Sequence, residues 1–193
     1  ANNEISEIVA GTSRFKLNGM SCEEYPSFPE LDGAIQFKTQ QGKLREMLQK
    51  TAFCVSKEDS RYILTGVLMR LEEGRATFVG TDGKRLAMNH TNVEVDESLQ
   101  GDYVIPIKAI EELLKVLKES EEEVNIYLMG NKIAVTAENV TIVTKLLAGD
   151  FPDFARVIPQ EAQKEVVLHR DELISLLRQI SLFTADSSHS VRF

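Results

Sequence analysis

Tyr103-Val104-Ile105-Pro106-Ile107-Lys108-Ala109-Ile110-Glu111-Glu112-Leu113-Leu114 is the stretch whose reading decides the fold. A short apolar strand runs into a pivot, Pro106, and Ile110, Leu113 and Leu114 follow at its +4, +7 and +8 positions. That spacing puts three apolar side chains on one face of a helix. The same arrangement occurs at Phe37-Lys38-Thr39, with pivot Gln40 and then Leu44, Met47 and Leu48. It occurs again at Val166-Val167-Leu168, with pivot His169 and then Leu173, Leu176 and Leu177. The copies lie roughly 65 residues apart, an internal repeat by self-similarity although longer than most solenoid periods. Repeated strand–helix units serve naturally as equivalent segments of one surface, so the pattern points to a scaffold before an active site.

Between the copies the grammar is strand, helix, then a run of strands. Residues 62–71 are apolar enough for a buried strand and Glu73-Gly74 reads as a turn. Strands at 76–81 and 84–89 flank Asp82-Gly83, a dipeptide that favours a type I′ hairpin. The second copy repeats this, with strands at 124–129, 132–137 and 140–146 separated by Gly130-Asn131 and Glu138-Asn139. Both copies read βαβββ. The expected class is α+β, with helices packed on one side of an antiparallel sheet. Ahead of them, Arg14-Phe15-Lys16-Leu17 alternates like a strand, and Tyr25-Pro26-Ser27-Phe28-Pro29 reads as a linker.

With 193 residues, 42% hydrophobic side chains and 5 Pro, the chain can bury a substantial core. Cys22 and Cys54 lack CxxC spacing, so neither a disulfide framework nor a zinc site is expected. No apolar run approaches the roughly 18 residues that span a bilayer, and no charged-then-apolar leader opens the chain, so a cytoplasmic protein is expected. The absent initiator Met and the alternating end Ser190-Val191-Arg192-Phe193 lead us to expect a fragment of something longer.

The net charge of −8 argues against a wholly basic, nucleic-acid-coating surface but not against a local one. Much of the acidity sits in Glu119 and Glu121-Glu122-Glu123, and in Glu94, Asp96 and Glu97, which read as solvated loops. Lys43 and Lys50, with Arg45 nearby, share the polar side of the first helix, and Lys108 and Lys115 that of the second. A basic face recurring on two equivalent helices is either solvated or lines one shared surface. Catalytic patterns are missing. His90, His169 and His189 are scattered, with no HExxH pair, and Thr81-Asp82-Gly83-Lys84-Arg85 lacks the first glycine and the Ser or Thr of a phosphate loop. Neither a catalytic residue, a metal nor a cofactor is expected.

Thr81-Asp82-Gly83-Lys84-Arg85-Leu86-Ala87, followed by Phe151-Pro152-Asp153-Phe154-Ala155-Arg156-Val157, resembles the bacterial DNA polymerase III beta subunits, the sliding-clamp family. Arg61-Tyr62-Ile63-Leu64-Thr65-Gly66, Ser13-Arg14-Phe15, and Tyr25-Pro26 through Phe28-Pro29 agree in order and spacing, so the likeness covers essentially the whole chain. It implies a DNA-clamp fold in which residues 1–32 end a first domain, 33–159 form a complete middle domain and 160–193 begin a third. It also implies a non-catalytic processivity factor, a homodimeric ring when full length. Such a ring encircles double-stranded DNA without sequence preference and tethers the polymerase III alpha subunit, the clamp loader and other clamp-motif proteins.

By the same resemblance, partners insert a Gln/Leu/Phe-containing linear motif into a pocket lined by Leu64, Thr81, Gly83, Lys84, Arg85, Leu86, Pro152, Arg156 and Val157. Leu64, Leu86, Pro152 and Val157 offer apolar wall there, and Thr81, Arg85 and Arg156 can fix a peptide's polar atoms. Lys84 stands where relatives often carry His. Lys57, Arg61 and Tyr62 match a DNA-facing loop, in which Ile63 replaces a frequent second aromatic. Lys43, Lys50, Lys108 and Lys115 match the channel lining. Phe15, Leu17, Leu182 and Phe183 match positions where protomers meet. A catalytic DNA-processing subunit, marked by paired carboxylates with magnesium, and an interaction scaffold unrelated to DNA are the alternatives.

Overall fold

The computed structural model describes residues 5–183 apart from 26, 32, 97–98 and 160–164. Of the positions considered above, Pro26, Glu97, His189 and the end Ser190-Val191-Arg192-Phe193 lie outside the described residues. The chain divides into two compact units, residues 1–151 and 152–193.

The first unit opens with an antiparallel hairpin of β1 (Ile5–Ala10) and β2 (Ser13–Asn18), in which Ile8 faces Phe15 and Ser6 faces Leu17. Two βαβββ repeats follow. The first is β3 (Ile35–Gln40), α1 (Gln41–Ala52), β4 (Gly66–Glu72), β5 (Arg75–Thr81) and β6 (Leu86–Asn92). The second is β7 (Gly101–Pro106), α2 (Ile107–Val116), β8 (Glu123–Met129), β9 (Lys132–Ala137) and β10 (Val140–Lys145). Each pivot found in the sequence is the residue that precedes a helix, Gln40 before α1 and Pro106 before α2.

The strands form two four-stranded sheets, β10-β9-β8-β3 and β6-β5-β4-β7, where the sequence suggests one. Each repeat lends its leading strand to the other's sheet. β3 pairs antiparallel with β8, setting Phe37 opposite Ile126, and β7 pairs with β4, setting Ile105 opposite Val67. This exchange makes the two repeats one folding unit, because neither sheet is complete without a strand from its neighbour.

Core residues follow the two expected periods. Leu44, Met47 and Leu48 of α1 and Ile110 and Leu113 of α2 are buried. They pack with alternate residues of the strands, Val67, Met69 and Leu71 on β4, and Val124, Ile126 and Leu128 on β8. Burying such aliphatic side chains contributes on the order of 1.5–3 kcal/mol each, so the paired stripes dominate the stability of the unit.

Two local expectations need correction. The apolar run from Tyr62 does not enter the sheet at once: Asp59–Thr65 is a 3-10 segment kinked at Arg61, and β4 begins only at Gly66. Thr65 Oγ1 closes that turn by donating to the Tyr62 carbonyl at 2.7 Å, while Ser56 N donates to the Leu64 carbonyl at 2.8 Å. Nor is Asp82-Gly83 a two-residue hairpin turn. The last β5–β6 pair is Thr81 with Leu86, leaving a four-residue loop, 82–85. The I′ pattern falls instead at Glu73-Gly74, whose φ values are 48° and 73°.

In the second unit a 3-10 turn, Phe154–Val157, is followed by α3 (Arg170–Ser181), again preceded by its pivot His169. No strand forms at 166–168. The leading strands of the first two repeats are held by a partner strand, and among the described residues none pairs with this segment. α3 keeps its amphipathic pattern but buries no side chain. Among the described residues, no helix is long and apolar enough to cross a membrane.

Candidate functional site

The two repeat helices lie against each other, and their junction is built by polar groups from opposite repeats. The buried Gln41 side chain donates to Glu122 Oε2 at 3.2 Å and accepts from Lys118 N at 3.1 Å. Its backbone N–H donates to the Glu122 carbonyl at 2.7 Å, and Gly42 N donates to the Ser120 carbonyl at 2.9 Å. Arg45 Nη1 donates to the Leu114 carbonyl and, at 2.9 Å, to the Leu117 carbonyl. A cation at these terminal carbonyls answers the negative end of the α2 dipole. Arg45 is therefore a structural cap of its neighbour. The acidic run after α2 is correspondingly more than a solvated loop: Glu122 holds Gln41, Glu119 lies 3.9 Å from Arg45, and Glu123 pairs with Lys38 at 3.3 Å.

Lys43, Lys50, Lys108 and Lys115 are exposed on helices whose apolar stripes are buried. Lys50 pairs with Glu46 at 2.5 Å and Lys115 with Glu112 at 2.7 Å, both along their own helix. Such exposed pairs are weak and exchange readily with other anions. The helix layer thus carries cations available to a polyanion.

A second cluster gathers where the end of α1, the 3-10 segment and the 82–85 loop meet. Gly80 permits this, because a Cβ there would run into the Thr51 carbonyl oxygen. Asp82 organises the loop as an Asx turn: its Oδ1 accepts from Lys84 N at 2.9 Å and Arg85 N at 3.0 Å. Those backbone donors, with Arg85 beside them, lower its carboxyl pKa to about 2. Thr81 Oγ1 donates to the Arg85 carbonyl at 2.7 Å and accepts from Gly83 N at 3.0 Å.

Arg85 turns back on the helix end. Its Nε reaches Asp82 Oδ2 at 3.1 Å, its Nη2 donates to the Phe53 carbonyl at 3.0 Å, and its guanidinium stands 6.0 Å from the Phe53 ring centre. Burial pushes the neighbouring Cys54 thiol up, opposed by the Arg85 charge.

The structure brings Leu64, Thr81, Gly83, Lys84, Arg85 and Leu86 to this corner but changes several roles. Thr81 is buried and committed within the loop, Arg85 is partly committed to Asp82 and Phe53, and Leu64 is buried. Leu86 is half-buried, and Lys84 and the Phe53 ring are exposed. Phe53 and the capping role of Arg45 are not legible in the sequence, because their partners are 32 and about 70 residues away and leave no periodic signal. Of the loop expected to face DNA, Lys57, Arg61 and Tyr62 are all exposed, and Arg61 Nη1 also donates to the Asp82 carbonyl at 2.9 Å.

In the second unit Pro152 and Val157 are exposed, and Arg156 Nε pairs with Asp153 Oδ2 at 2.8 Å. Leu182 and Phe183, just beyond α3, are 80% and 88% exposed, and Phe15 and Leu17 sit on one face of the hairpin, also exposed. Among the described residues no three His, Cys, Asp or Glu side chains gather in a way that could hold a metal ion.

Two βαβββ repeats that exchange leading strands, with a helix from each side by side, define an α+β chain of the DNA-clamp class. The family model of the DNA polymerase III beta subunit, central domain, matches residues 38–153. A beta sliding clamp of Chlamydia pneumoniae is 49% identical over 190 residues, covering 98% of this chain and 52% of that protein. The Bacillus subtilis beta sliding clamp is 31% identical, covering 98% of this chain and 50% of its own length.

Among solved structures, the DNA polymerase III subunit beta from Pseudomonas aeruginosa superposes with a TM-score of 0.84 at 32% identity, over 97% of this chain and 52% of that one. The DNA polymerase sliding clamp from Bacillus subtilis gives 0.85 at 29% identity, over 97% and 49%. The chain belongs to the DNA polymerase III beta subunit family. It spans about half the length of the relatives it matches.

Proposed function

We propose that this chain is the middle domain, residues 33–159, with flanking parts of its neighbours, 1–32 and 160–193, of a non-catalytic replication processivity factor. The full-length protein closes as a homodimeric ring around duplex DNA in the cytoplasm and tethers the polymerase and other motif-bearing partners to it. One observation carries this proposal: the two repeats set exposed lysines on neighbouring helices, away from the sheets. Lys43, Lys50, Lys108 and Lys115 then meet phosphates through weak, exchangeable, sequence-blind contacts, which suit sliding.

On the same proposal, the corner around Leu86, Lys84 and Arg85 is this domain's share of partner-motif binding, and a motif-contacting role is likewise proposed for Pro152, Arg156 and Val157. Phe15, Leu17, Leu182 and Phe183 supply apolar surface for ring closure. The test is retention of the full-length protein on nicked circular DNA against the same DNA linearised. Retention should persist on the circle and be lost on the linear form, and Lys43→Glu with Lys108→Glu should flatten its salt dependence by ~0.9 in log–log slope per lost contact. Equal retention on both forms would overturn the ring.

A further inference from the structure

Arg61 stands between two surfaces. The family resemblance assigns it to DNA, yet its Nη1 donates to the Asp82 carbonyl at 2.9 Å. Its own backbone marks the kink of the 3-10 segment, with φ −118° and ψ 56° inside an otherwise helical run. The guanidinium also closes over Gly83, where an added Cβ would collide with Nη1. Gly83 is thus required twice, by its φ of 83° and by the arginine lying against it.

The loop it touches is held by its own neighbours, through Asp82, Thr81 and Arg85, and by Arg85 reaching the Phe53 carbonyl at the end of α1. Arg61 adds a tie from the 3-10 segment, received at the Asp82 carbonyl. With Nη1 committed to this tie, a phosphate would have to be met by the remaining donors, at a place where the Asp82 carboxylate already faces Arg85.

The geometry points to Arg61 as a positioning residue of the motif-binding loop rather than a phosphate ligand. It clamps the 82–85 loop to the 3-10 segment, so that Lys84, Arg85 and Leu86 are presented in one arrangement to a partner peptide. This rests on the pocket proposed above.

The test uses full-length protein carrying Arg61→Ala or Arg61→Lys. Three measurements are made: amide hydrogen exchange of residues 83–85, affinity for a labelled Gln/Leu/Phe-motif peptide, and the salt dependence of duplex retention. Arg61→Ala should speed loop exchange and weaken the peptide about threefold to tenfold, the loss of one hydrogen bond of ordinary net strength. Arg61→Lys should not restore affinity, because an ammonium lacks the planar fork that reaches a carbonyl while covering a glycine. Neither change should alter the salt slope. Unchanged loop exchange in Arg61→Ala overturns the assignment, and so does a slope lowered by about one in Arg61→Ala and restored in Arg61→Lys, which would make Arg61 a phosphate contact. If wild-type protein fails to bind the peptide, the pocket proposal fails, and loop exchange alone still decides whether Arg61 holds the loop.

Discussion

The two repeats share strand order, helix placement and buried stripes, and differ at two connections. Residues 53–65 join α1 to β4, whereas only 117–122 join α2 to β8. The loop between β5 and β6 is four residues long, 82–85, against the two-residue turn Glu138-Asn139 between β9 and β10. Both enlargements belong to the first repeat and come together, with Arg61 bonded to Asp82 and Arg85 to Phe53. The second repeat uses its corresponding connection, 117–122, to secure the start of α1. Common architecture is therefore held by what the repeats share, and the specialised corner by what one of them adds.

The sharpest way to break the equivalence is to cut matching core residues. Leu44 and Ile110 occupy the same position after their pivots, with 3% and 0% exposure. Leu44→Ala and Ile110→Ala should each destabilise this chain by ~2–5 kcal/mol in urea unfolding, because each leaves a cavity in one shared core. If either is tolerated within ~0.5 kcal/mol, a range usual for surface sites, the two repeats are not energetically equivalent.

A smaller effect separates the specialised corner. Gly80 precedes the last ladder residue of β5 as Thr136 precedes that of β9. Gly80→Ala should cost ~1–3 kcal/mol by overpacking against the Thr51 carbonyl. Thr136→Ala, which removes only a 3.0 Å hydroxyl contact with Thr141, should cost ~0.5–1.5 kcal/mol. Equal losses would show that the end of α1 yields freely to β5.

The mildest test is pH. Asp82 titrates near 2 in the fold, below its value of roughly 3.9 in an unfolded chain. Its contribution to folding is therefore complete above about pH 4 and fades as pH falls through about 2. Following the Lys84 amide by NMR should give a midpoint near 2, and a midpoint near 4 would mean the loop is not held by that carboxylate. Glu138, in the corresponding turn of the second repeat, accepts no such pair of backbone bonds and serves as its comparison.

Much of this architecture is legible because it is local. Gln40, Pro106 and His169 each immediately precede a helix, and Leu44, Met47 and Leu48 are buried as their spacing requires. The turns Gly130-Asn131 and Glu138-Asn139 fall where the sequence places them, although the left-handed residue of the second is Glu138 rather than its asparagine. Asp82-Gly83 misleads because the Asp82 carboxylate captures two backbone N–H groups beyond the glycine, a competitor to the tight turn that the dipeptide alone does not reveal. Of the candidate site, residue types and their neighbourhood in the chain were legible. The commitment of Thr81, Arg85 and Arg61 to the loop itself was not.

Sequence by itself determined the repeat, the helix faces, the strand alternation and the family, since each is written in side-chain spacing along a continuous stretch. Tertiary structure alone decided that β3 completes the second repeat's sheet and β7 the first's, and that 166–168 stays unpaired among the described residues. A strand's own pattern marks which face is buried, but backbone N–H and C=O groups are the same in every strand and do not name their partner. It decided likewise that Arg45 caps a helix and Arg61 ties a loop while Lys43 and Lys108 stay exposed. Long cationic side chains have one local signature whether they end in water or on a carbonyl, and only the arrival of a distant acceptor separates the two.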